Sequence, residues 1–243
     1  MISIHYNLAL PEGTPLDTVA DTINSLRQLA LLLPVVEVTQ VMILTTERIR
    51  SMDADPDASA PFQLRRTVSG PDPRDPDSVL PNDLITVWPE RVLAVGVQPV
   101  SDGQPLHLLL GTYPAMVRDA YGHDVPTDLP GWQGQGVWTW RDEHGHDPDV
   151  VLSHLMVIAL LEAARQLGLS VTVSDDSGFW RSRRLSSIGG IPRPGIDPDW
   201  SPEDLETLRN LAVLVDAEEV QPDHTPSGPG DGQRLTPIHP KET

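Results

Sequence analysis

From Ile2 to Leu10 apolar and polar residues alternate, with Ile2, Ile4, Tyr6, Leu8 and Leu10 set against Ser3, His5 and Asn7. Period two predicts a strand with one buried face. Thr14-Pro15-Leu16-Asp17 then reads as an N-cap pattern with proline in the first helical position. It opens a helix carrying Leu16, Val19, Ile23, Leu26 and Leu29 at helical spacing, ending near Leu33-Pro34. Val35 to Thr46 is rich in Val, Ile and Thr and predicts a second strand, completing a β-α-β unit. Further strands are expected at Leu84–Trp88, Arg91–Val97, Leu106–Leu110 and Val137–Trp140, with a loop-rich stretch from Tyr113 to Gln135. Val150 to Leu167 is apolar on almost every face and stops at Gly168, which predicts a central, covered helix. Val171–Ser174 follows as a strand, and Ser201-Pro202-Glu203-Asp204 opens a last helix.

Two stretches break this periodicity. Residues 51–82 hold repeated Asp-Pro signals and read as an exposed irregular insertion, with a short ordered piece at Phe62-Gln-Leu64. Residues 217–243 are rich in Pro, Asp, Gly and Ser and read as a disordered tail. The expectation is a single domain over 1–216 of the α+β class. It is a two-layer sandwich with a mostly antiparallel sheet and helices packed on one face, for which a ferredoxin-like split β-α-β is the nearest named arrangement.

Charge and missing residue types narrow the chemistry. The chain has 35 acids and 17 bases, a net charge of −18, which opposes broad binding to nucleic acid or to an anionic membrane. It contains no cysteine, so disulfides, thiolate metal sites and a thiol nucleophile are excluded. Lys241 is the only lysine, which argues against a phosphate-loop ATPase, a protein kinase or a Schiff-base enzyme. The first residues lack a basic region followed by an apolar run, and a cytoplasmic location is expected.

Four groups of residues carry candidate chemistry. His144 and His146, with Asp147 and Asp149 beside them and His123 as a further ligand, have donor types suited to a divalent metal. The same run also reads as a polar loop with its acids near a helix N-terminus. The expectation is no cofactor, with a divalent metal as the alternative. Asp175, Asp176, Trp180, Arg181, Arg183 and Arg184 form the second group. Between Phe179 and Ile196 there are four arginines and no acid, a local reversal of the chain's charge. Guanidinium groups beside a tryptophan suit a carboxylate, a phosphate or an acidic partner segment, whereas internal pairing with Asp175 and Asp176 is the non-functional alternative. The third group is the glycine run Gly131-Trp-Gln-Gly-Gln-Gly136, which precedes a strand and so does not fit a dinucleotide loop. Trp138 and Trp140 beyond it, two residues apart, share one strand face and are expected in the core. His154, the fourth, lies inside the apolar helix and is expected to be a hydrogen-bonded core histidine, with no Gly-x-Ser-x-Gly elbow to support catalysis.

Trp138-x-Trp140, Ser153-His-Leu155, Leu160-Leu161, Leu167-Gly168 and Val171-x-Val-x-Asp-Asp-x-Gly-x-Trp180 together resemble the C-terminal half of a family of hypothetical bacterial proteins of similar length. The resemblance implies no activity and no catalytic residue. The chain departs from that pattern after Trp140, with Arg-Asp-Glu-His-Gly-His, and after Trp180, with Arg-Ser-Arg-Arg. The resulting expectation is a non-catalytic, acidic interaction protein acting through the Trp/Arg patch on another protein or a small anionic ligand. A metal-dependent hydrolase and a nucleic-acid mimic are the alternatives.

Overall fold

A computed structural model describes residues 2–52, 60–72, 75–119, 122–140, 148–188 and 200–217, with no side-chain account at 60 and 65–84. The tail from 218 onward lies outside the described residues.

The main sheet uses strands β1 (Ile2–Leu10), β2 (Glu37–Val38), β3 (Met42–Thr45), β6 (Arg91–Gln98), β7 (Leu106–Thr112), β10 (Trp132–Trp140) and β11 (Ser170–Asp175). Their order is β11-β1-β10-β7-β6-β2, with β3 also on β6, and every neighbouring pair is antiparallel. Helix α1 (Leu16–Ala30) joins β1 to β2, and α3 (Pro148–Gln166) joins β10 to β11. In both cases the joined strands run parallel but are not neighbours: β10, β7 and β6 separate the first pair, and β1 separates the second. These are interleaved split β-α-β units, the arrangement that an α+β sandwich uses to keep its sheet antiparallel while its helices share one face. The β-α-β unit expected over residues 2–46 is present in this split form.

One face of the sheet carries Ile4, Tyr6, Leu8 and Leu10 of β1, Leu93, Val95 and Val97 of β6, and Leu106, Leu108 and Leu110 of β7. The buried residues Val19, Ile23, Leu26 and Ala30 of α1 and most of α3 join them in one core. Helix α5 (Pro202–Leu214) packs against α3 through Leu208, Leu211 and Ala212. Cover on both sides explains why α3 is apolar all round: every residue from Val150 to Glu162 is buried. No helix among the described residues is long and apolar enough to cross a membrane.

Local departures from the expected elements have physical causes. Thr14 does not cap α1; Pro15 holds the cap position, and the Thr14 hydroxyl donates to the Pro11 carbonyl at 2.7 Å. The strand expected over 35–46 breaks into β2 and β3, because Thr39 turns its hydroxyl to accept the Gly96 N–H at 2.9 Å. The insertion is more regular than its Asp-Pro content predicts. Strands β4 (Leu64–Asp72) and β5 (Asp75–Val87) pair as an antiparallel hairpin with register shifts at Val68/Gly70 and Pro71/Asp72. A two-stranded ribbon consists of edges alone, where prolines cost no ladder bond on their outer side. The stretch from Tyr113 to Gln135 also contains β8 (Met116–Arg118) paired with β9 (Asp124–Pro126).

Among the described residues the second face of the sheet is only partly covered. Short helix α2 (Thr46–Arg50) and the 3-10 turn Ala60–Phe62 bury Ile49 and Phe62 against Val92, Ala94 and Leu109. Beside this cover His5, Asn7 and Val137 stay exposed.

Candidate arginine-rich corner

Strand β11 ends at Asp175, and the chain turns through Gly178, at φ +76°, into the single helical turn α4 (Phe179–Ser182). The Asp175 side chain organises that turn. Its Oδ1 accepts the Ser177 N–H at 2.9 Å and the Ser177 hydroxyl at 2.7 Å, and its Oδ2 accepts the Trp180 N–H at 2.9 Å. His154 Nε2, from the middle of α3, stands 3.3 Å from the same Oδ2, and both side chains are essentially sealed from solvent. Burial pushes the Asp175 carboxyl up, but His154, the Trp180 N–H and Ser177 outweigh it and bring its pKa to about 2.

Ser177, His154 and Asp175 are the residue types of a nucleophilic triad, yet their geometry is that of a clamp. In a triad the acid and the serine use opposite nitrogens of the imidazole. Here both face Nε2, with Ser177 Oγ at 3.4 Å, and the hydroxyl donates to Asp175 instead. His154 Nδ1 is buried without a hydrogen-bond partner among the described residues, and the ring is wedged edge-on against Trp138 and Phe179. The core-histidine expectation for His154 and the core placement of Trp138 and Trp140 agree with this packing.

The arginines lie just beyond the clamp. Arg183, at φ +56°, closes α4 and folds back so that its guanidinium lies 4.8 Å over the Trp180 ring while an Nη donates to Glu162 of α3. Arg165, one turn along α3, reaches the other Glu162 oxygen at 2.6 Å. Two arginines therefore converge on one carboxylate that is itself only 10% exposed. A buried acid requires such partners, since its desolvation is otherwise uncompensated. Arg181 and Arg184 are exposed on the same corner. Asp176 is exposed too, and its N–H donates to the Ser3 carbonyl at 3.0 Å, tying the turn to β1.

Of the residues singled out in sequence, Asp175, Trp180, Arg183 and their neighbours are thus brought to one corner. Asp175 nevertheless faces inward, and the partner of Arg183 is not an aspartate nearby but Glu162, 21 residues upstream. The available signal was Glu162 itself, the one acid within the apolar run from Val150 to Ala164. Arg165 was missed because it reads as an ordinary cation in a helix's last turn.

Of the histidine-rich group only Asp149 and His123 fall among the described residues. His144, His146 and Asp147 lie outside the described residues. Asp149 is in the first turn of α3, and its carbonyl accepts the Ser153 hydroxyl. His123 belongs to the β8–β9 turn, where its N–H donates to the buried Asp119 carboxylate at 2.8 Å. Among the described residues no three His, Asp or Glu side chains are grouped to hold a metal. No protein-family model, no curated protein and no solved structure matches the chain.

Proposed function

We propose that this chain is a non-catalytic interaction protein that receives an acidic segment of a partner protein on the corner built by Arg165, Arg181, Arg183, Arg184 and Trp180. The observation that carries the reading is charge concentration. Arg165 of α3 and Arg183 at the end of α4 converge on one largely buried carboxylate, with Arg181 and Arg184 exposed on the same corner, in a chain of 35 acids and 17 bases. Arg183 and Arg165 hold the corner's shape through Glu162, and Arg181 offers an exposed guanidinium fork for a carboxylate, with Arg184 on the same surface. Trp180, half-buried and stacked by Arg183, supplies a rigid apolar surface beside them.

Calorimetric titration with a synthetic Asp/Glu-rich peptide tests this reading. The double variant Arg181→Ala/Arg184→Ala is expected to weaken binding about tenfold or more, since charge-assisted hydrogen bonds contribute about 1.5–3 kcal/mol each, while the chain stays folded. Equal affinity in the double variant, or no binding by the unmodified chain, refutes it.

A further inference from the structure

On the second sheet face the described residues line a trough of about 910 Å³. Its floor follows from the strand register: His5 stands opposite Val137 and Asn7 opposite Gln135 across β1 and β10, with His107 of β7 alongside. Pro61 and Pro105 contribute its apolar walls. The alternation of β1 that drives Ile4, Tyr6 and Leu8 into the core necessarily sends His5 and Asn7 to this side. Beneath the floor Gly136 leaves room for Tyr6, since a Cβ there would stand 2.1 Å from the Tyr6 hydroxyl. That hydroxyl is already committed to the His107 carbonyl at 2.7 Å.

Two features give the trough a ligand class. His5, Asn7, Gln135 and the His107 imidazole make no hydrogen bond to another described residue, so four side chains that both donate and accept are uncommitted. Moreover, no Asp, Glu, Lys or Arg is among the described lining residues, in a chain where a fifth of all residues are charged. Among the described lining residues an anion finds no cation and meets the repulsion of a net charge of −18, and a cation finds no carboxylate. Burial holds the His107 pKa below the ordinary histidine value, which keeps that ring neutral and able to accept. A main-chain peptide ligand is recognised along a free strand edge, whereas this trough lies on a sheet face and offers side chains only. We propose that the trough binds a neutral saccharide, with Asn7, Gln135 and His107 exchanging hydrogen bonds with its hydroxyl groups while Val137 and the two prolines contact its C–H faces. The site is independent of the arginine corner, which lies beyond β11 against α3.

The test is calorimetry and saturation-transfer NMR on the full chain with maltotriose, cellotriose and chitotriose at millimolar concentration. Binding of at least one is expected, weakened about tenfold or more in Asn7→Ala/Gln135→Ala, in proportion to two lost hydrogen bonds. A second variant, Val137→Lys, places a bulky charge on the floor at an exposed position and is expected to abolish binding with melting unchanged. Arg181→Ala/Arg184→Ala is expected to leave saccharide binding intact, which separates this site from the corner. The proposal is overturned if none of the three binds, if both trough variants bind as the unmodified chain does, or if a neutral hexaglycine peptide binds there in preference.

Discussion

At the scale of single residues, the arginines that build the corner differ from those exposed on it. Removing Arg183 leaves Glu162 shielded by Arg165 alone and uncovers Trp180. Arg183→Ala should therefore cost about 1–3 kcal/mol of stability, since breaking a largely buried pair strands its partner. Arg181→Ala should stay within about 0.5 kcal/mol, as exposed sites do. Urea unfolding of the two variants side by side checks the contrast, and equal losses would contradict it. Asp175 gives a pH prediction of definite sign. Its carboxyl has a pKa of about 2 in the fold, below the roughly 3.9 of an unfolded chain. Its contribution, about 1–2 kcal/mol, is therefore fully present above pH ~4 and is lost as the pH falls through about 2. In Asp175→Asn that acid-dependent part should vanish; identical pH–stability slopes in the two proteins would show that the clamp has been misread. Ser177, for its part, should not react with a fluorophosphonate probe of serine hydrolases, because its hydroxyl donates to Asp175 rather than to an imidazole positioned as a base.

At the scale of elements, the glycines of β10 show why a strand can look like a loop. Gly134 sits so close to β7 that a Cβ there would meet the Leu109 carbonyl oxygen at 1.9 Å, and backbone cannot swing aside as a side-chain end can. Gly134→Ala should accordingly lower stability by about 2 kcal/mol or more, read as a drop in Tm, whereas an unchanged Tm would mean that β7 and β10 lie farther apart than described. The glycine run thus serves close strand approach, and it hid the first half of β10 from a reading based on propensity. Elements with uninterrupted periodicity were legible: β1, α1, β6, β7, α3 and β11 all lie within a few residues of their expected bounds. So was α5, whose capping box between Ser201 and Asp204 is formed in full. Of the β4–β5 hairpin only the end of β5, from Leu84, was legible; the rest was not, because proline counts as a breaker only where both sides of a strand must pair.

At the scale of the whole molecule, the α+β class followed from element order, but which strands become neighbours did not. The split of both β-α-β units depends on long-range pairing of β1 with β10 and β11, and no local pattern records it. The same limit applied to the corner. Its arginines were visible as a charge reversal, whereas the convergence of Arg165 and Arg183 on Glu162 required α3 and α4 to be side by side. The trough went unread for a similar reason: His5, Asn7, Gln135 and His107 come from three strands and form a surface only once those strands are in register.

Net charge adds a constraint on how the corner works. An acidic partner approaching a chain of charge −18 is repelled at long range, and at about 0.01 M salt that repulsion extends over roughly 30 Å. Near 0.15 M it is confined to about 8 Å, so that the arginines at the contact dominate. Association with an acidic peptide should therefore quicken from low to physiological ionic strength, the reverse of an electrostatically steered pair, and stopped-flow kinetics over that range would reveal a monotonic slowing if the corner does not act alone.

The most direct measurement is native mass spectrometry of the untagged chain purified from its own host, beside Arg181→Ala/Arg184→Ala prepared identically. A complex with an acidic partner protein is expected in the unmodified chain and its loss in the double variant, with both proteins folded. The same complex retained by the double variant, or a bound metal in place of a partner, would contradict it.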